Sequence, residues 1–562
     1  MGNSKKRTES NVLVQGSILA AASLISRVIG LLYNFPLTNI IGNKGNDYYS
    51  TAYEIYNILL LISSYSLPLA VSKLVSARVS KGQRKNAYRV LKGALLLAVL
   101  SGGMASLILY FGAEYFTSKV LLTPLSIFAL KVLAPTILVV AVLGVIRGFF
   151  QGLGTMMPSA VSQIVEQIFN AVVSVAAAFI LYGYGSRIGA VLGNEEEYSA
   201  AYGAAGGTLG TNIGAVMGLL FVGFLFLSYK SIFKRQMRRD KSRNQESYGT
   251  IMRILLITIV PVLLSTTVYN LSSILDNGIF KHVAVLQGYD GNDISIWWGI
   301  FARKYKTIIN IPISIASAMA ASCVPSLTAA YAIRDKKAVK DQINSSIRFI
   351  MVIAFPCAVG LGVLASPVMQ LLFNDSSEVS AGILRGGAIA IIFYSMSTLS
   401  NGLLQGINRM KEPVKNAVIA LVLHIAILLL LMFGFHMDIY AVVYANAFFA
   451  LIMCILNAFS LRKSVGYRQE IVKTFLVPLA SSAVMGVIVF LIYQGVDILL
   501  MKVVSDKISN GAATLVSIII GIIAYFISLL LMKGLTEDEL LRFPKGRLLV
   551  RFAEKMHLMR LK

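Results

Sequence analysis

Arg27 lies inside the first long apolar run of the chain, in Ser26-Arg27-Val28-Ile29-Gly30-Leu31-Leu32, and Arg303, Lys304 and Lys306 lie inside another. A guanidinium at membrane depth costs roughly 2.5 kcal/mol or more, so such a group turns to a polar interior and an anionic partner. Arg303, Lys306, Asn310, Ser314 and Ser317 fall at i, i+3, i+7, i+11 and i+14, the spacing of one helical face. Lys304 points about 100° away from that face and is expected to snorkel to the interface. Arg can grip two oxygens of a phosphate or carboxylate, and Lys acts as a point charge. The chemistry expected of these residues is capture of an anion, with no bond made or broken.

Other polar residues fall at helical spacing in neighbouring apolar runs. The first run offers Ser23, Arg27, Gly30 and Asn34; the second offers Glu54, Asn57, Ser64, Pro68 and Ser72. The seventh offers Thr266, Asn270, Ser273 and Asn277, with Asp276 at its end. Arg27 and Glu54 could instead pair with each other and hold helices together, as interhelical polar contacts do. Yet Arg27, Arg303 and Lys306 outnumber the one nearby acid, Glu54, which suits a diphosphate or carboxylate arriving from outside the protein. Glu166 shares a face with Ser159, Gln163, Asn170 and Ser174. It is suited either to a coupling proton or sodium ion or to interhelical hydrogen bonding.

Other chemistries lack their signatures. His282, His424, His436 and His557 are scattered, Cys323, Cys357 and Cys454 sit in apolar segments, and no metal-ligand cluster emerges. No P-loop occurs, so any pumping draws on an ion gradient, the membrane potential or substrate supply. No cofactor is expected. A polytopic glycosyltransferase or polymerase would need a sizeable outer loop bearing catalytic residues, and the outer loops are short, so the chain is not expected to be an enzyme. The basic run Lys230 to Arg243 reads as a topology determinant touching anionic lipid, with no nucleic-acid partner.

These residues need membrane spans to position them. The 562-residue chain is 56% hydrophobic and 14% charged with mean hydropathy +0.73, whereas soluble domains carry about 25% charged residues. Hydropathy predicts an all-α polytopic protein with fourteen spans, among them 12–33, 48–78, 254–275, 294–330 and 511–532. With the N-terminus in the cytoplasm, the inner segments hold 39 of the 51 Lys and Arg, which the positive-inside rule requires. Both termini are then cytoplasmic, in the cell membrane. The expected organisation is a six-helix lobe at 1–233, a basic linker at 234–253, and a second six-helix lobe at 254–465. An extra helix pair at 466–533 and a basic tail at 534–562 complete it.

An internal echo supports two lobes. Phe150-Gln151-Gly152-Leu153-Gly154-Thr155-Met156 matches Leu404-Gln405-Gly406-Ile407-Asn408-Arg409-Met410, each followed by a proline, Pro158 and Pro413. Lys131 and Arg385 share that offset of 254 residues. The long second and eighth spans carry mid-helix prolines, Pro68 and Pro312, at an offset of 244. Six spans separate the copies, so both enter the membrane in one direction, implying lobes related by an axis along the membrane normal around a central cavity. Spans one and two are expected to face spans seven and eight across it.

Ser26-Arg27-Val28-Ile29-Gly30 resembles the start of MurJ-type lipid II flippases. Arg147-Gly-Phe-Phe-Gln-Gly-Leu-Gly-Thr-Met-Met-Pro-Ser-Ala-Val-Ser-Gln-Ile-Val-Glu-Gln167 and Asn310-Ile-Pro-Ile-Ser-Ile-Ala-Ser-Ala-Met-Ala-Ala-Ser-Cys-Val-Pro-Ser-Leu327 resemble the stage V sporulation protein B branch of the polysaccharide transporter family. The resemblance implies the fold of the multidrug, oligosaccharidyl-lipid and polysaccharide exporters. It also implies alternating access that carries a polyprenyl-diphosphate-linked sugar to the outer leaflet for cell wall or spore cortex. Implied partners are that lipid-linked saccharide, membrane lipids and proteins of cell-wall synthesis. A multidrug or cation antiporter is the alternative on this scaffold. Arg27 matches an essential arginine of the family, Asp47 aligns with an acid before span two, and Arg303 or Lys306 is the counterpart of a span-eight cation. The chain departs from the pattern at Tyr33-Asn34 and at Leu60, where the family carries Arg-Asp and a second-span arginine.

Overall fold

The computed structural model describes residues 2–240, 242, 245–502 and 504–534, with side chains other than 2–17, 20, 65 and 260–269. His557 and the expected basic tail beyond Gly534 lie outside the described residues, and the Thr266 side chain is among those left out. The described residues form helices joined by short turns, and none is in a strand. Eleven helices among them are long and apolar enough to cross a membrane, and twelve if the bent pair Glu378–Gly387 and Ala390–Gly406 counts as one. Sequence analysis expects fourteen spans. Two of those share one continuous element, Ala21–Val79, and the seventh falls within the helix Tyr248–Leu286. The chain is a multi-pass membrane protein. It divides into two compact units, Met1–Arg303 and Lys304–Lys562, with the division inside the eighth span.

In the first unit, the long opening helix Gly2–Leu60 is broken at Gly42, whose φ of 68° only glycine adopts at ease. That break separates spans one and two. Span two continues through a π-helical turn at Leu61–Tyr65 into Leu67–Val79. Leu37, Ile41, Tyr49 and Ala52 from these spans pack with Leu130, Leu133, Ala201 and Ala204 into one buried cluster. Lipid supplies no hydrophobic drive between helices, so close approach of backbones does the work. Gly206, Gly210 and Gly214, at i, i+4 and i+8 of helix Glu195–Arg238, lie against Ala177, Ser174 and the Glu166 carbonyl of helix Met157–Leu192. A Cβ at Gly214 would stand 2.6 Å from that carbonyl oxygen.

In the second unit, helix Lys411–Leu429 is fastened to Ile439–Val465 by Asn416, which donates to Asn457 Oδ1 (2.9 Å) and to Ser460 Oγ (3.1 Å). Asn457 in turn donates to Ser400 and Asn401 of helix Ala390–Gly406. The last two described helices, Val477–Leu500 and Asp506–Leu531, pack on each other and on Lys336–Val363, where the Tyr525 hydroxyl donates to the Val352 carbonyl at 2.7 Å.

The echo has a physical basis within each unit. Gly154 (φ 87°) and Asn408 (φ 60°), 254 residues apart, both take the left-handed turn between their helix pairs. Gly148 and Gly152 lie against Pro68 and Val75 of span two; Gly402 and Gly406 lie against Ala320 and Leu327 of span eight. The two contact registers differ by 252 residues, two short of the echo's own offset. Pro68 therefore corresponds in packing to Ala320. Pro312 stands about two turns earlier, so the two mid-helix prolines are not equivalent positions.

Candidate functional site

Within the first unit, Asp47, Thr51, Glu54, Ser273, Asn277, Lys281 and Ser295 form one hydrogen-bonded network. Asp47, one turn past the Gly42 break, is 1% exposed and accepts from the Lys281 ammonium (2.6 Å), the Thr51 hydroxyl (2.9 Å) and the Ser295 hydroxyl (2.8 Å). Lys281 also donates to Thr51 and Thr123. Two turns further along span two, Glu54 accepts from Ser273 (2.9 Å) and Asn277 (2.7 Å) of helix Tyr248–Leu286. Span two therefore meets spans seven and eight directly at this end, with no space between them. On the far side of the Asp47–Lys281 pair is a pocket of about 510 Å³, lined also by Lys44, Tyr48, Glu197 and Asn292.

Arg303 lies with its guanidinium carbon 4.1 Å from the Tyr49 ring centroid, a cation–π seat, and donates to Asn34 Oδ1. Its Nε is buried without a hydrogen-bond partner. Arg27 is exposed and has no hydrogen-bond or ion-pair partner among the described residues. Arg27 and Asn34 are two helical turns apart on one face, about 10.5 Å along the axis. The Arg303 guanidinium is thereby tied to the same face of span one that displays Arg27. Arg27 and Glu54 do not pair with each other. Asn57 is exposed, one turn beyond Glu54.

Lys306 and Asn310 belong to the second unit, where Lys306 is half-buried and Asn310 exposed. A π-helical turn at Ile300–Tyr305 contains Arg303 and ends just before Lys306, so the α-helical spacing read from the sequence does not run unbroken through them. Lys304 does not snorkel. It is 5% exposed and ion-paired with Asp375, because a carboxylate waits on the inward side. Burial would raise the Asp375 carboxyl, but its bonds from Lys304, Ser380 and Ser377 outweigh this and hold it below the usual carboxylate range.

Glu166 accepts from Arg147 at 2.8 Å, and Arg147 also donates to Ser162, so the acid joins span four (helix Ile127–Gly152) to span five (helix Met157–Leu192). Lys281, Arg147 and Asp375 are ion-pair partners that sequence reasoning missed. Lys281 falls beyond the predicted end of span seven, although Ser273, Asn277 and Lys281 repeat every four residues along one face.

Asp47, Glu54 and, on span five, Glu166 are thus occupied by protein donors, while the Arg27 guanidinium is displayed. That arrangement can bind an anion and has little to offer a cation. The chain is similar over 85% of its length to the lipid II flippase MurJ of Bacillus subtilis (strain 168), at 26% identity and covering 88% of that protein. It is 23% identical to the stage V sporulation protein B of the same organism, over 95% of this chain and 98% of that one. A solved structure of lipid II flippase MurJ in an inward closed conformation superposes with a TM-score of 0.62 at 15% identity, covering 91% of this chain and 97% of that one, which establishes the fold. The MatE model matches residues 304–430. With the polysaccharide biosynthesis protein model matching residues 12–331, more than half of its length, this chain belongs to that family of membrane transporters.

Proposed function

We propose that the chain is a flippase that carries a polyprenyl-diphosphate-linked saccharide, a cell-wall or spore-cortex precursor, across the cytoplasmic membrane by alternating access. The observation that carries this reading is Arg27, exposed and partnerless within an apolar span, on the helix face that also holds Arg303. The cost of a guanidinium at that depth is offset when a diphosphate takes the vacant donors. Arg303 supplies the second donor group, preoriented by Asn34 and Tyr49. Asn57, exposed one turn beyond Glu54 in the same unit, would contribute a further polar contact to the sugar-diphosphate.

With both termini cytoplasmic, Asp47, Lys281, Glu54 and Asn277 lie toward the outer ends of their spans, and their bonds hold that side shut. Binding from the inner side and release to the outer then requires these contacts to part. Glu166, held by Arg147, fastens spans four and five. A cation antiporter on this scaffold is disfavoured because Asp47, Glu54 and Glu166 already receive protein donors. Relatives named as lipid II flippase and stage V sporulation protein support a peptidoglycan-type precursor as the cargo.

The test is rescue of a bacterium depleted of its own lipid II flippase, with Arg27→Ala in parallel. Rescue by the parent and failure of a correctly inserted Arg27→Ala would assign peptidoglycan precursor transport and place Arg27 in it. No rescue by an inserted parent would redirect the search to another lipid-linked glycan. Rescue by both would remove Arg27 from the mechanism.

A further inference from the structure

The second unit carries a separate basic pocket. A cavity of about 600 Å³ opens between the helices Ala390–Gly406 and Ile439–Val465, at the end where the chain leaves the latter through Gly466. Its walls divide by chemistry. Ile455 and Phe459 are 47% and 63% exposed, an apolar flank facing the lipid side. Ser400 and Tyr467 are 1% and 6% exposed and form its polar interior, the Tyr467 hydroxyl being anchored by Asn344. Arg462 and Arg468 stand exposed at its rim, and no ion pair among the described residues involves either. The nearby acid Glu470 is committed to the start of the next helix, where it accepts from the Lys473 amide and the Thr474 hydroxyl.

We propose that this pocket binds the headgroup of an anionic glycerophospholipid from the leaflet on the side of the basic loops. Two free guanidiniums at the membrane–water boundary match a lipid phosphate, and basic pockets between helices on that side favour such headgroups. Ile455 and Phe459 continue the apolar surface along which the acyl chains of the same molecule would lie. The site is distinct from Arg27 and Arg303 in sequence, unit and surroundings, so it does not rest on the flippase reading. An anionic lipid here would brace the helices Ala390–Gly406 and Ile439–Val465 at the end where the chain leaves the latter.

The test is native mass spectrometry of the full chain purified in detergent and supplied with phosphatidylglycerol or phosphatidylcholine. The parent is expected to retain phosphatidylglycerol in preference, and Arg462→Gln with Arg468→Gln to lower that retention roughly tenfold without changing phosphatidylcholine retention. Lys336→Gln with Lys337→Gln, a basic pair exposed outside the pocket, serves as control and should keep the preference. Equal loss in the control pair would reduce the effect to general surface charge and overturn the site. Undiminished retention in the Arg462/Arg468 variant, shown by its elution profile to be folded, would overturn it as well. Adding a soluble polyprenyl diphosphate separates the sources: displacement of bound phosphatidylglycerol from this pocket would assign it to the transported lipid instead.

Discussion

Asp47 and Lys281 are 1% exposed each in a part of the protein where water cannot share the cost of their charges, and what keeps them tolerable is mutual contact plus Thr51, Thr123 and Ser295. Removing one partner of such a pair leaves an uncompensated buried charge, whereas removing both leaves an ordinary apolar contact. Lys281→Met alone is therefore expected to destabilise the first unit by about 3–5 kcal/mol, and Asp47→Leu with Lys281→Met to recover most of the loss. Thermal unfolding in detergent reads this directly, and a double variant as unstable as the single would show that the two charges are not coupled. Lys281 also marks a limit of hydropathy. A charged residue lowers the window average and ends the span at 275, yet the helix runs on to Leu286 because Asp47 neutralises the ammonium. Arg27, by contrast, was legible, since an unpaired cation in an apolar run is conspicuous without any knowledge of its neighbours.

Among the elements, the echo at offset 254 is a packing rule: glycines on helices Ile127–Gly152 and Ala390–Gly406 admit spans two and eight at backbone distance. A Cβ at Gly402 would stand 2.7 Å from the Ala320 Cβ, so Gly402→Val should cost about 1–3 kcal/mol through overpacking. Gly103, with nothing within 4 Å of such a Cβ, is the contrast; Gly103→Ala should be neutral or gain about 0.5–1 kcal/mol. Equal unfolding temperatures for the two variants would refute the packing account. The sequence made the repeated motif visible but not its register, because the more conspicuous prolines at 68 and 312 suggested a pairing that contact with the glycines does not support. A second element-level device is Asp240, which accepts from the Lys85 amide at the start of helix Arg84–Glu114 and from the Ser242 amide. Burial would raise this carboxyl, but those two amide bonds, with the Lys85 charge, hold it below its usual value. Since the folded state favours the carboxylate, the stabilisation is complete above the ordinary value of about 3.9 and fades as the pH drops through the lower folded value. The stability advantage of the parent over Asp240→Asn should thus be constant from pH 8 to about 5 and shrink only below about 4. An advantage that shrank already between pH 8 and 6 would assign the effect to another group.

At the scale of the whole molecule, the charge asymmetry of the loops predicts an orientation on which the transport reading depends, because it would make the Asp47–Lys281 end the outer one. All-α architecture and multiple spans follow from composition alone. The count of spans does not, since a helix that bends at Gly42 and another that bends at 388–389 are each read differently by length than by hydropathy. Orientation can be measured without reference to cargo. In a chain whose Cys323, Cys357 and Cys454 are replaced by Ala, single cysteines at Asn292 and Lys337 occupy exposed positions at the two ends of the Gly291–Ala332 span. A membrane-impermeant maleimide added to intact cells should label Asn292→Cys and leave Lys337→Cys unlabelled until the membrane is opened. The reverse pattern would turn the molecule over. The bonded ends of spans two, seven and eight would then face the cytoplasm, and the conformation would be one that receives its anion from outside. Labelling as expected fixes the opposite sense: Arg27, two turns inward from the Asn34–Arg303 contact, then stands nearer the inner leaflet than that contact.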